Sequence, residues 1–307
     1  MKQNKRLITI ALIVLVIASV IAAFALGPGR EEGSTAAEDN MVGVINLEGV
    51  ITGGSGDAFL SSGSDHIVHQ LHEASQDPSI KALVIRINSP GGSAAASQEI
   101  YQEVLKVKEA GKKVVVSMGD VAASGGYWVA SAADKIVANP ATITGSIGVI
   151  MEFQNVEGLF EKLGLKVNVI KSAEHKDIGS PTRPMTEEER AIFQGMVDDI
   201  YNQFIDVVAK GRKMDREKVK ELADGRIFTG RQAKELGLVD ELGNFYDALK
   251  IAAELAGIEG EPEIKEYGRK TPLEILMTGA PGLLQSRNII LPWGIDPAGL
   301  LRAPEMK

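Results

Sequence analysis

The strongest constraint on the fold is the alternation of short apolar runs with amphipathic stretches along residues 41–255. Ala82–Ile87 is apolar at nearly every position, which is typical of a strand covered on both faces of a sheet. The predicted strands are Val42–Leu47, Ala82–Ile87, Lys113–Met118, Lys135–Ala138 and Val167–Lys171. Repeated strand–helix–strand units predict an α/β protein with a mostly parallel sheet and helices packed on it.

Helical patterns fill the spaces between and after these runs. Ser97–Gly111 has one apolar side, and Ala122–Ala133 predicts a helix directly after a strand. Thr186 and Glu189 form a capping box that starts a helix ending near Lys210. The predicted buried stripe of that helix is Ile192, Met196, Ile200, Phe204 and Val207–Val208. Further helices are predicted at Arg216–Ala223, Gly230–Leu236 and Asn244–Leu255.

The N-terminal segment predicts attachment to a membrane. Lys2, Lys5 and Arg6 precede residues 7–26, an uncharged apolar stretch, and a bilayer crossing needs about 20 such residues. Basic residues before the stretch favour a cytoplasmic N-terminus, with the body of the chain outside. The alternative is a cleaved signal peptide with Ala23–Ala25 as its cleavage site, although the stretch is long for one. Both interpretations export the folded domain.

We therefore expect a single-pass protein of the cell membrane with five segments. Residues 1–6 form the cytoplasmic N-terminus and residues 7–26 the transmembrane anchor. Residues 27–40 are rich in Gly, Glu, Ala, Ser and Thr without periodicity, which predicts a flexible stalk. The folded domain is expected at residues 41–260, followed by a C-terminal extension at residues 261–307.

Composition removes several classes of function. The 307 residues carry a net charge of -8, so no basic stripe is present to bind nucleic acid. The absence of cysteine excludes disulfides, thiolate zinc sites and a cysteine nucleophile. His66, His69 and His72 wrap around a predicted helix, and we interpret them as a solvated helix face in preference to a metal site. No metal and no cofactor is expected.

Two glycine-rich segments at predicted strand ends are candidates for chemistry, since catalytic groups of α/β proteins collect there. In Ser89–Ser93 (SPGGS), adjacent glycines let backbone N–H groups approach a ligand, so Gly91 is the first candidate for an oxyanion donor. In Ala122–Trp128 (AASGGYW), small residues flank Ser124 at the head of a helix, where the N–H of Gly125 is a further candidate. The structural alternatives are a turn that needs positive φ for the first segment, and a serine N-cap or a close helix contact for the second.

A third segment, Lys171–Ser180 (KSAEHKDIGS), carries the candidates for a base. A serine hydroxyl cannot attack an amide unaided and needs a group that accepts its proton. His175 and Lys176 are both candidates, since a lysine acts as a base once burial favours its neutral form. Residue types leave the choice open, and a solvated surface lysine is the simplest structural alternative.

A series of ordered motifs resembles the signal peptide peptidase A family, in its short bacterial and archaeal form. The motifs are SPGGS at Ser89–Ser93, MGDVAASGGYW at Met118–Trp128, TGSIGV at Thr144–Val149, IKSAEHKDIGSP at Ile170–Pro181 and FTGRQAKELGLVD at Phe228–Asp240. The resemblance spans roughly residues 42–255 together with the N-terminal segment. The sequence departs from the family pattern at Asp120 and Glu174.

The resemblance implies a membrane-anchored serine endopeptidase with a serine–lysine dyad. It assigns Ser124 as nucleophile, Lys176 as general base, Ser146 as the hydroxyl that orients the lysine and Gly91 as oxyanion donor. It also implies a ClpP/crotonase-type fold of repeated β-β-α units. The implied assembly is a homo-oligomeric ring in which the serine and lysine of one site come from adjacent protomers. The implied substrates are cleaved signal peptides and other apolar peptides.

Two other classes of protein remain as alternatives. Acyl-CoA hydratases and isomerases share the fold, but they typically use glutamates and work in the cytosol, which an exported chain with Ser124 fits poorly. A non-catalytic membrane scaffold of the same fold is the stronger alternative. Labelling of Ser124 by an acylating probe would argue against that scaffold.

Overall fold

The computed structural model describes residues 41–57 and 61–268. Within these residues the strands are β1 (Met41–Glu48), β2 (Val50–Thr52), β3 (Gly56–Asp57), β4 (Ser61–Gly63), β5 (Ile80–Ser89), β6 (Lys113–Ala123), β7 (Lys135–Ala138), β8 (Ile143–Gly145), β9 (Ile227–Thr229), β10 (Glu241–Leu242) and β11 (Glu263–Glu266). The helices are α1 (Ser64–Gln76), α2 (Ala94–Glu109), α3 (Gly125–Ala130), α4 (Glu157–Lys162), α5 (Glu187–Arg212), α6 (Arg216–Leu222), α7 (Gly230–Glu235) and α8 (Phe245–Ala256), with a 3-10 turn at Glu174–Asp177.

The main sheet has the order β10-β7-β6-β5-β1-β11 and these strands are all parallel, so their carboxyl ends lie at one edge. β6 changes partner along its length: residues 115–118 pair with β7 and residues 121–123 pair with β8. β8 in turn pairs antiparallel with β9. This change of partner brings the ends of β6 and β8 together at the carboxyl edge of the sheet.

Helices cover both faces of the sheet, which explains the continuous apolar runs. On one face α8 packs through Ala248, Leu249 and Ala252 against the alternate strand residues Val44 and Val84. The other face carries the larger core. The helix residues of that core include Ile67, Leu71, Ile100, Val104, Trp128, Phe204 and Val208. The predicted α/β architecture with a mostly parallel sheet is confirmed.

Two sequence predictions about secondary structure are wrong in detail. The helix expected at Ala122–Ala133 begins only at Gly125, because β6 continues to Ala123 in order to pair with β8. The strand expected at Val167–Lys171 is not formed. Residues 165–170 are all exposed, and a strand needs a hydrogen-bonding neighbour that the described part of the chain does not supply there.

The buried stripe predicted for α5 is only half buried. Phe204 and Val208 are inaccessible, but Ile192 is 40% and Met196 is 48% exposed. The helix therefore packs on the core through its C-terminal half, while its N-terminal half extends past the core. The capping box predicted at Thr186 and Glu189 is confirmed.

One boundary of the expected domain division, at residue 260, falls among the described residues. β11 pairs with β1, so the sheet includes residues beyond 260, where the sequence analysis ended the folded domain. None of the helices in residues 41–57 and 61–268 is long and apolar enough to span a bilayer. The anchor expected at residues 7–26, the stalk and most of the C-terminal extension lie outside the described residues.

Candidate active site

Ser124 occupies a strained backbone position between β6 and α3. Its φ of 51° and ψ of -120° lie outside the regions that residues with a side chain ordinarily adopt. Such a conformation costs on the order of 1–3 kcal/mol and persists only where its surroundings impose it. Here the Ser124 N–H donates to the Gly145 carbonyl at 2.9 Å, and the Ser124 carbonyl accepts from Trp128 N–H at 2.9 Å.

An irregular stretch of β6 directs its end toward this position. The register between β5 and β6 shifts after Ile87, as in a β-bulge. Asn88 Oδ1 accepts from the Val121 N–H at 3.2 Å, and Thr142 Oγ1 donates to the Gly119 carbonyl at 2.7 Å. These side chains satisfy backbone groups that the regular ladder would otherwise pair, so the strand continues to Ala123.

The glycine pair after β5 lies directly against Ser124. A Cβ on Gly91 would lie 2.8 Å from Ser124 Cβ and 2.7 Å from the Gly125 nitrogen, and the φ of Gly91 is +103°. The approach therefore requires glycine on both counts. The structure brings together Gly91, Ser124 and Gly125, which the sequence singled out separately.

The backbone donors near Ser124 differ in availability. The Gly91 N–H donates to Ser89 Oγ at 3.1 Å, and the Gly91 carbonyl accepts from Ile51 N–H at 2.9 Å. Gly92 is exposed, and its N–H has no acceptor among the described residues. The Gly92 nitrogen would lie 3.3 Å from a Cβ added to Gly125. Gly125 is the first residue of α3, so its N–H has no acceptor within the helix. Gly92 is thus a further candidate that the sequence analysis did not name, because adjacent glycines give no sign of which N–H faces the cleft.

Ser146 follows β8 as Ser124 follows β6. Ala123 is paired with Gly145, so the two serines leave neighbouring strands at the same level, and neighbouring strands are about 5 Å apart. Ser146 also has a φ of 51°, and its N–H donates to the Arg226 carbonyl at 2.8 Å. Neither serine hydroxyl makes a hydrogen bond to another described residue.

Lys176 lies in the 3-10 turn Glu174–Asp177, and its side chain is exposed. Its backbone N–H donates to the Ala173 carbonyl at 3.2 Å, but its Nζ makes no hydrogen bond or ion pair with a described residue, and in particular none with Ser124. The other candidate base, His175, lies 3.6 Å from Glu188, from Nε2 to Oε1. The turn is attached to the start of α5, because Arg183 binds the carboxylates of both Asp177 and Glu189.

The length of α5 separates this turn from the serine. Trp128, one turn after Ser124, stacks on Phe204 with ring centroids 4.7 Å apart. Glu189 and Phe204 are fifteen residues apart in one continuous helix, which is about 22 Å at 1.5 Å per residue. Within one protomer, the turn that carries Lys176 is therefore attached near the start of α5, whereas the Trp128–Phe204 contact lies about 22 Å further along the same helix.

A cavity of about 650 Å³ lies between Gly53–Gly54 and the start of α2, directly after the glycine loop Gly91–Gly92. Its walls include Ser93 and Ala96 at the start of α2, together with Trp128 and Ile200. Trp128 is 2% exposed, and its indole Nε1 has no partner among the described residues. The cavity gives an extended chain room to lie across the start of α2, between Ser93, which follows Gly92, and Trp128, which lies on the helix after Ser124.

The fold and the serine position together define a class of protein: a serine hydrolase on a ClpP-like mixed α/β scaffold. The family model for Clp protease matches residues 48–144. A structure of the membrane-bound stomatin-specific protease 1510-N superposes with a TM-score of 0.50 at 16% identity, covering 75% of this chain and 99% of that one. At that identity the likeness concerns the fold alone.

Sequence comparison identifies the family. The model for peptidase family S49 matches residues 106–259, and the chain belongs to this family. Over 228 residues it is 46% identical to the inferred protease slr0021 of Synechocystis sp., covering 74% of this chain and 82% of that protein. It is 38% identical to Protease 4 of Haemophilus influenzae over 228 residues, but spans only 37% of that longer protein. The chain is therefore a serine protease, and its resemblance to the signal peptide peptidase A family is confirmed.

Proposed function

We propose that this protein is a membrane-anchored endopeptidase that cleaves apolar peptides, among them signal peptides left in the membrane, with Ser124 as nucleophile and Lys176 as general base. Residues 7–26 are the anchor in this proposal, with residues 1–6 in the cytoplasm and the catalytic domain outside. The observation that carries the proposal is the strained Ser124 backbone against the Gly91–Gly92 loop.

The geometry around Ser124 supports acyl transfer. Lys176 Nζ in its neutral form takes the proton from Ser124 Oγ as that oxygen bonds to the substrate carbonyl carbon, and Ser146 orients the amine. The N–H groups of Gly125 and Gly92, which have no acceptor among the described residues, stabilise the tetrahedral oxyanion. The lysine then gives its proton to the leaving amine, and an acyl-enzyme remains on Ser124. Water, deprotonated by the same lysine, releases the acid and restores the serine.

The absence of a described partner for the Lys176 side chain supports a site shared between protomers of a homo-oligomeric ring. A lysine base needs desolvation, and nothing in the described part of the protomer buries Lys176. The segment that precedes it exposes Ile150, Leu159, Leu163, Val167, Val169 and Ile170, which is more apolar surface than a lone protomer ordinarily shows. In the proposed ring, a neighbour covers this segment and receives Lys176 beside its own Ser124.

Substrate binding is proposed for the cavity next to the glycine loop. The exposed Gly92 offers unpaired backbone, and the alanine-lined start of α2 with Ile200 and Trp128 offers apolar contact. An extended peptide uses both, because main-chain hydrogen bonds provide affinity and side-chain pockets provide selection. Apolar peptides released at a membrane match such a cleft.

The test is hydrolysis of an apolar fluorogenic peptide by the full chain in detergent micelles. We expect Ser124→Ala and Lys176→Ala each to lower kcat by at least about a thousandfold, and His175→Ala to stay within a few-fold of wild type. In an equal mixture of the two inactive variants, half of the protomers have an intact serine and half have an intact lysine. If each site takes these residues from two neighbouring protomers, a quarter of the sites contain both. About a quarter of wild-type activity should therefore return.

Each other outcome changes one part of the proposal. An inactive His175→Ala with an active Lys176→Ala would replace the base. No recovery in the mixture, with both variants still assembled, would place the serine and lysine in the same protomer. A wild-type chain that cleaves no peptide and leaves Ser124 unlabelled by an acylating probe would favour the non-catalytic scaffold.

A further inference from the structure

Arg183 makes a dense set of hydrogen bonds in the segment that carries Lys176. Its Nε donates to Asp177 Oδ2 at 3.0 Å and its Nη2 to Asp177 Oδ1 at 3.0 Å, the paired geometry that a guanidinium forms with a carboxylate. The same guanidinium donates from Nη1 to Glu189 Oε2 at 2.9 Å and from Nη2 to Glu189 Oε1. It also reaches the carbonyls of Asp177 and Pro184. One side chain therefore joins two carboxylates on different elements.

One of these carboxylates belongs to the turn that holds Lys176. Asp177 follows Lys176 directly, and its Oδ1 also accepts from Lys171 Nζ at 2.7 Å. Lys171 Nζ donates to the Glu174 carbonyl at 2.7 Å as well, which closes the turn on itself. The hydrogen bonds from Arg183 and Lys171 hold the pKa of Asp177 far below its usual range. The turn is thus fixed through Asp177.

The other carboxylate is fixed to a rigid element. Glu189 is 3% exposed and completes the capping box of α5: its Oε2 accepts from the Thr186 N–H at 3.0 Å, and its own N–H donates to Thr186 Oγ1 at 3.1 Å. The hydrogen bonds from Arg183 and the Thr186 N–H lower the pKa of Glu189 to about 2. Arg183 therefore connects the turn to the capped first turn of a long helix.

Apolar packing contributes little to the placement of the turn. None of the residues in Glu174–Asp177 is buried, and the residues from 171 to 176 are exposed. Hydrogen bonds and charge then determine where the turn lies relative to α5. Arginine is suited to this task, since its planar fork contacts two carboxylates at once and stays charged at every working pH.

We infer that Arg183 is a positioning residue for the general base: by joining Asp177 to Glu189 it holds the Lys176 turn in the place and the electrostatic setting that proton transfer from serine requires. This inference rests on the proposed role of Lys176. A misplacement of a reacting group by about 1 Å can cost about a hundredfold in rate, so the anchor matters although Arg183 touches no substrate. Arg183 also neutralises two carboxylates that would otherwise favour a protonated lysine nearby.

The test compares Arg183→Ala and Arg183→Lys with Arg216→Ala in the assembled full chain. Arg216 is a matched control, since its guanidinium also binds two side chains, Asp206 and Asn202, each at 2.7 Å, but lies on α6 away from the turn. We expect Arg183→Ala to lower kcat by about ten- to a hundredfold with KM changed less than about twofold. Arg216→Ala should keep kcat within about twofold, as most surface substitutions do.

The pH profile separates positioning from loss of folded enzyme, because a smaller active fraction lowers the profile without moving it. In Arg183→Ala the acid limb of kcat/KM should move to higher pH, since the freed carboxylates favour the protonated base. In Arg183→Lys the positive charge remains, so the acid limb of kcat/KM should stay near its wild-type pH. The kcat should still fall, because lysine cannot form the paired hydrogen bonds that a guanidinium makes with a carboxylate. The charged and titratable groups of the turn and of the helix start packed against it are Lys171, Glu174, His175, Lys176, Asp177, Arg183, Glu187, Glu188, Glu189 and Arg190.

Two results would overturn the inference. One is an Arg183→Ala enzyme that matches Arg216→Ala in kcat and in pH profile. The other is a fall in kcat with an unmoved profile and an equal fall in the number of sites that an acylating probe labels, which would assign Arg183 a purely structural role. Lys176→Ala in the same assay keeps the two proposals apart. If that variant is active, the base assignment fails whatever Arg183 does; if it is inactive, the Arg183 variants test the positioning role alone.

Discussion

The two halves of the candidate site are built in different ways. Around Ser124 the chain is packed: Gly91 is buried against the serine, Gly125 against Gly91, and Trp128 against Phe204. Around Lys176 the chain is exposed, and hydrogen-bonded ion pairs hold it in place where buried apolar contacts are absent. The fold of one protomer therefore positions Ser124, the proposed nucleophile. The position of Lys176, the proposed base, depends on an ion-pair cluster and, in the proposed ring, on a neighbour.

This difference matters for what each half tolerates. A buried, strained backbone leaves no room for an added methyl group, so small changes should have large and local effects. An exposed turn held by ion pairs should accept changes in volume but respond to changes in charge. The following three predictions test that contrast, beginning with the largest expected effect.

Gly91→Ala should abolish activity. The new Cβ would lie 2.7 Å from the Gly125 nitrogen and 2.8 Å from Ser124 Cβ, so the loop must move away from the nucleophile. Alanine keeps the backbone N–H, so the expected loss comes from displacement of the loop that carries the Gly92 N–H, and a misplaced oxyanion donor costs about a hundred- to a thousandfold in kcat. Peptide hydrolysis and labelling of Ser124 measure the effect.

Gly111→Ala is the matched control for this change. Gly111 also has a positive φ, +88°, but nothing lies within 4 Å of the position of its Cβ. The backbone strain should cost about 1 kcal/mol of stability and leave kcat unchanged. Equal loss of activity in both variants would show that general destabilisation explains the result, and that the contact between Gly91 and Ser124 is unimportant.

Phe204→Ala should destabilise the protomer far more than Phe153→Ala. Phe204 is 1% exposed and stacks on Trp128, so its removal should cost about 3–5 kcal/mol. Phe153 is 42% exposed and contacts Phe193 at a centroid distance of 4.2 Å, and its removal should cost less than about 1.5 kcal/mol.

Urea unfolding of the two phenylalanine variants at several protein concentrations gives the comparison. If the segment around Phe153 forms an interface, the wild-type midpoint should rise with protein concentration, because assembly stabilises the folded chain by mass action. The Phe153→Ala midpoint should lose this dependence at concentrations where the weakened assembly has dissociated. Similar losses in unfolding free energy at every concentration would remove the contrast between a packed half and an exposed half.

Acid should loosen the turn before it loosens the core. The folded pKa of Glu189, about 2, is below its ordinary value of 4.5, and that of Asp177 is lowered in the same direction. Groups with depressed folded pKa values stabilise the structure above their unfolded pKa, and this stabilisation is lost as pH falls through the folded value. Amide hydrogen exchange should therefore show protection at the start of α5 declining below about pH 4, while protection in α2 persists.

Glu189→Gln provides the control for the acid experiment. The amide keeps the shape of the side chain but has no carboxylate to titrate. In this variant, hydrogen-exchange protection at the start of α5 should therefore be lower than in the wild type at neutral pH and should change less as the pH falls. A start of α5 that is equally protected at pH 3 and pH 7 in the wild-type chain would contradict the assigned ion-pair cluster.

The sequence was sufficient for the parts of the molecule that local chemistry determines. Apolar runs predicted β1, β5, β6 and β7, and Thr186 with Glu189 predicted the start of α5. The glycines of both catalytic segments were informative for the same reason, since a close backbone approach requires glycine wherever it occurs. These features depend on residues that are near one another in the chain.

The predictions that were wrong concern features that depend on which surfaces meet in three dimensions. Ile192 and Met196 have helical spacing identical to that of Phe204, and only the extent of the core decides that they are exposed. The alternating residues 165–170 resemble a strand, but pairing needs a neighbour that spacing cannot supply. The role of Arg183 was missed because its two carboxylate partners, Asp177 and Glu189, lie on either side of it in sequence without any motif.

The parallel order of the sheet also determines which way the enzyme faces. β1 begins at Met41, opposite Ile80 at the amino end of β5, whereas Ser124 follows the carboxyl end of β6. The ten residues of β5 span about 33 Å at 3.3 Å per residue. Met41 and Ser124 therefore lie at opposite edges of the sheet. A tether attached at Met41 would place the carboxyl edge of the sheet, where Ser124 lies, away from the tether. A substrate that starts at the tether would have to pass along the length of the strands to reach Ser124.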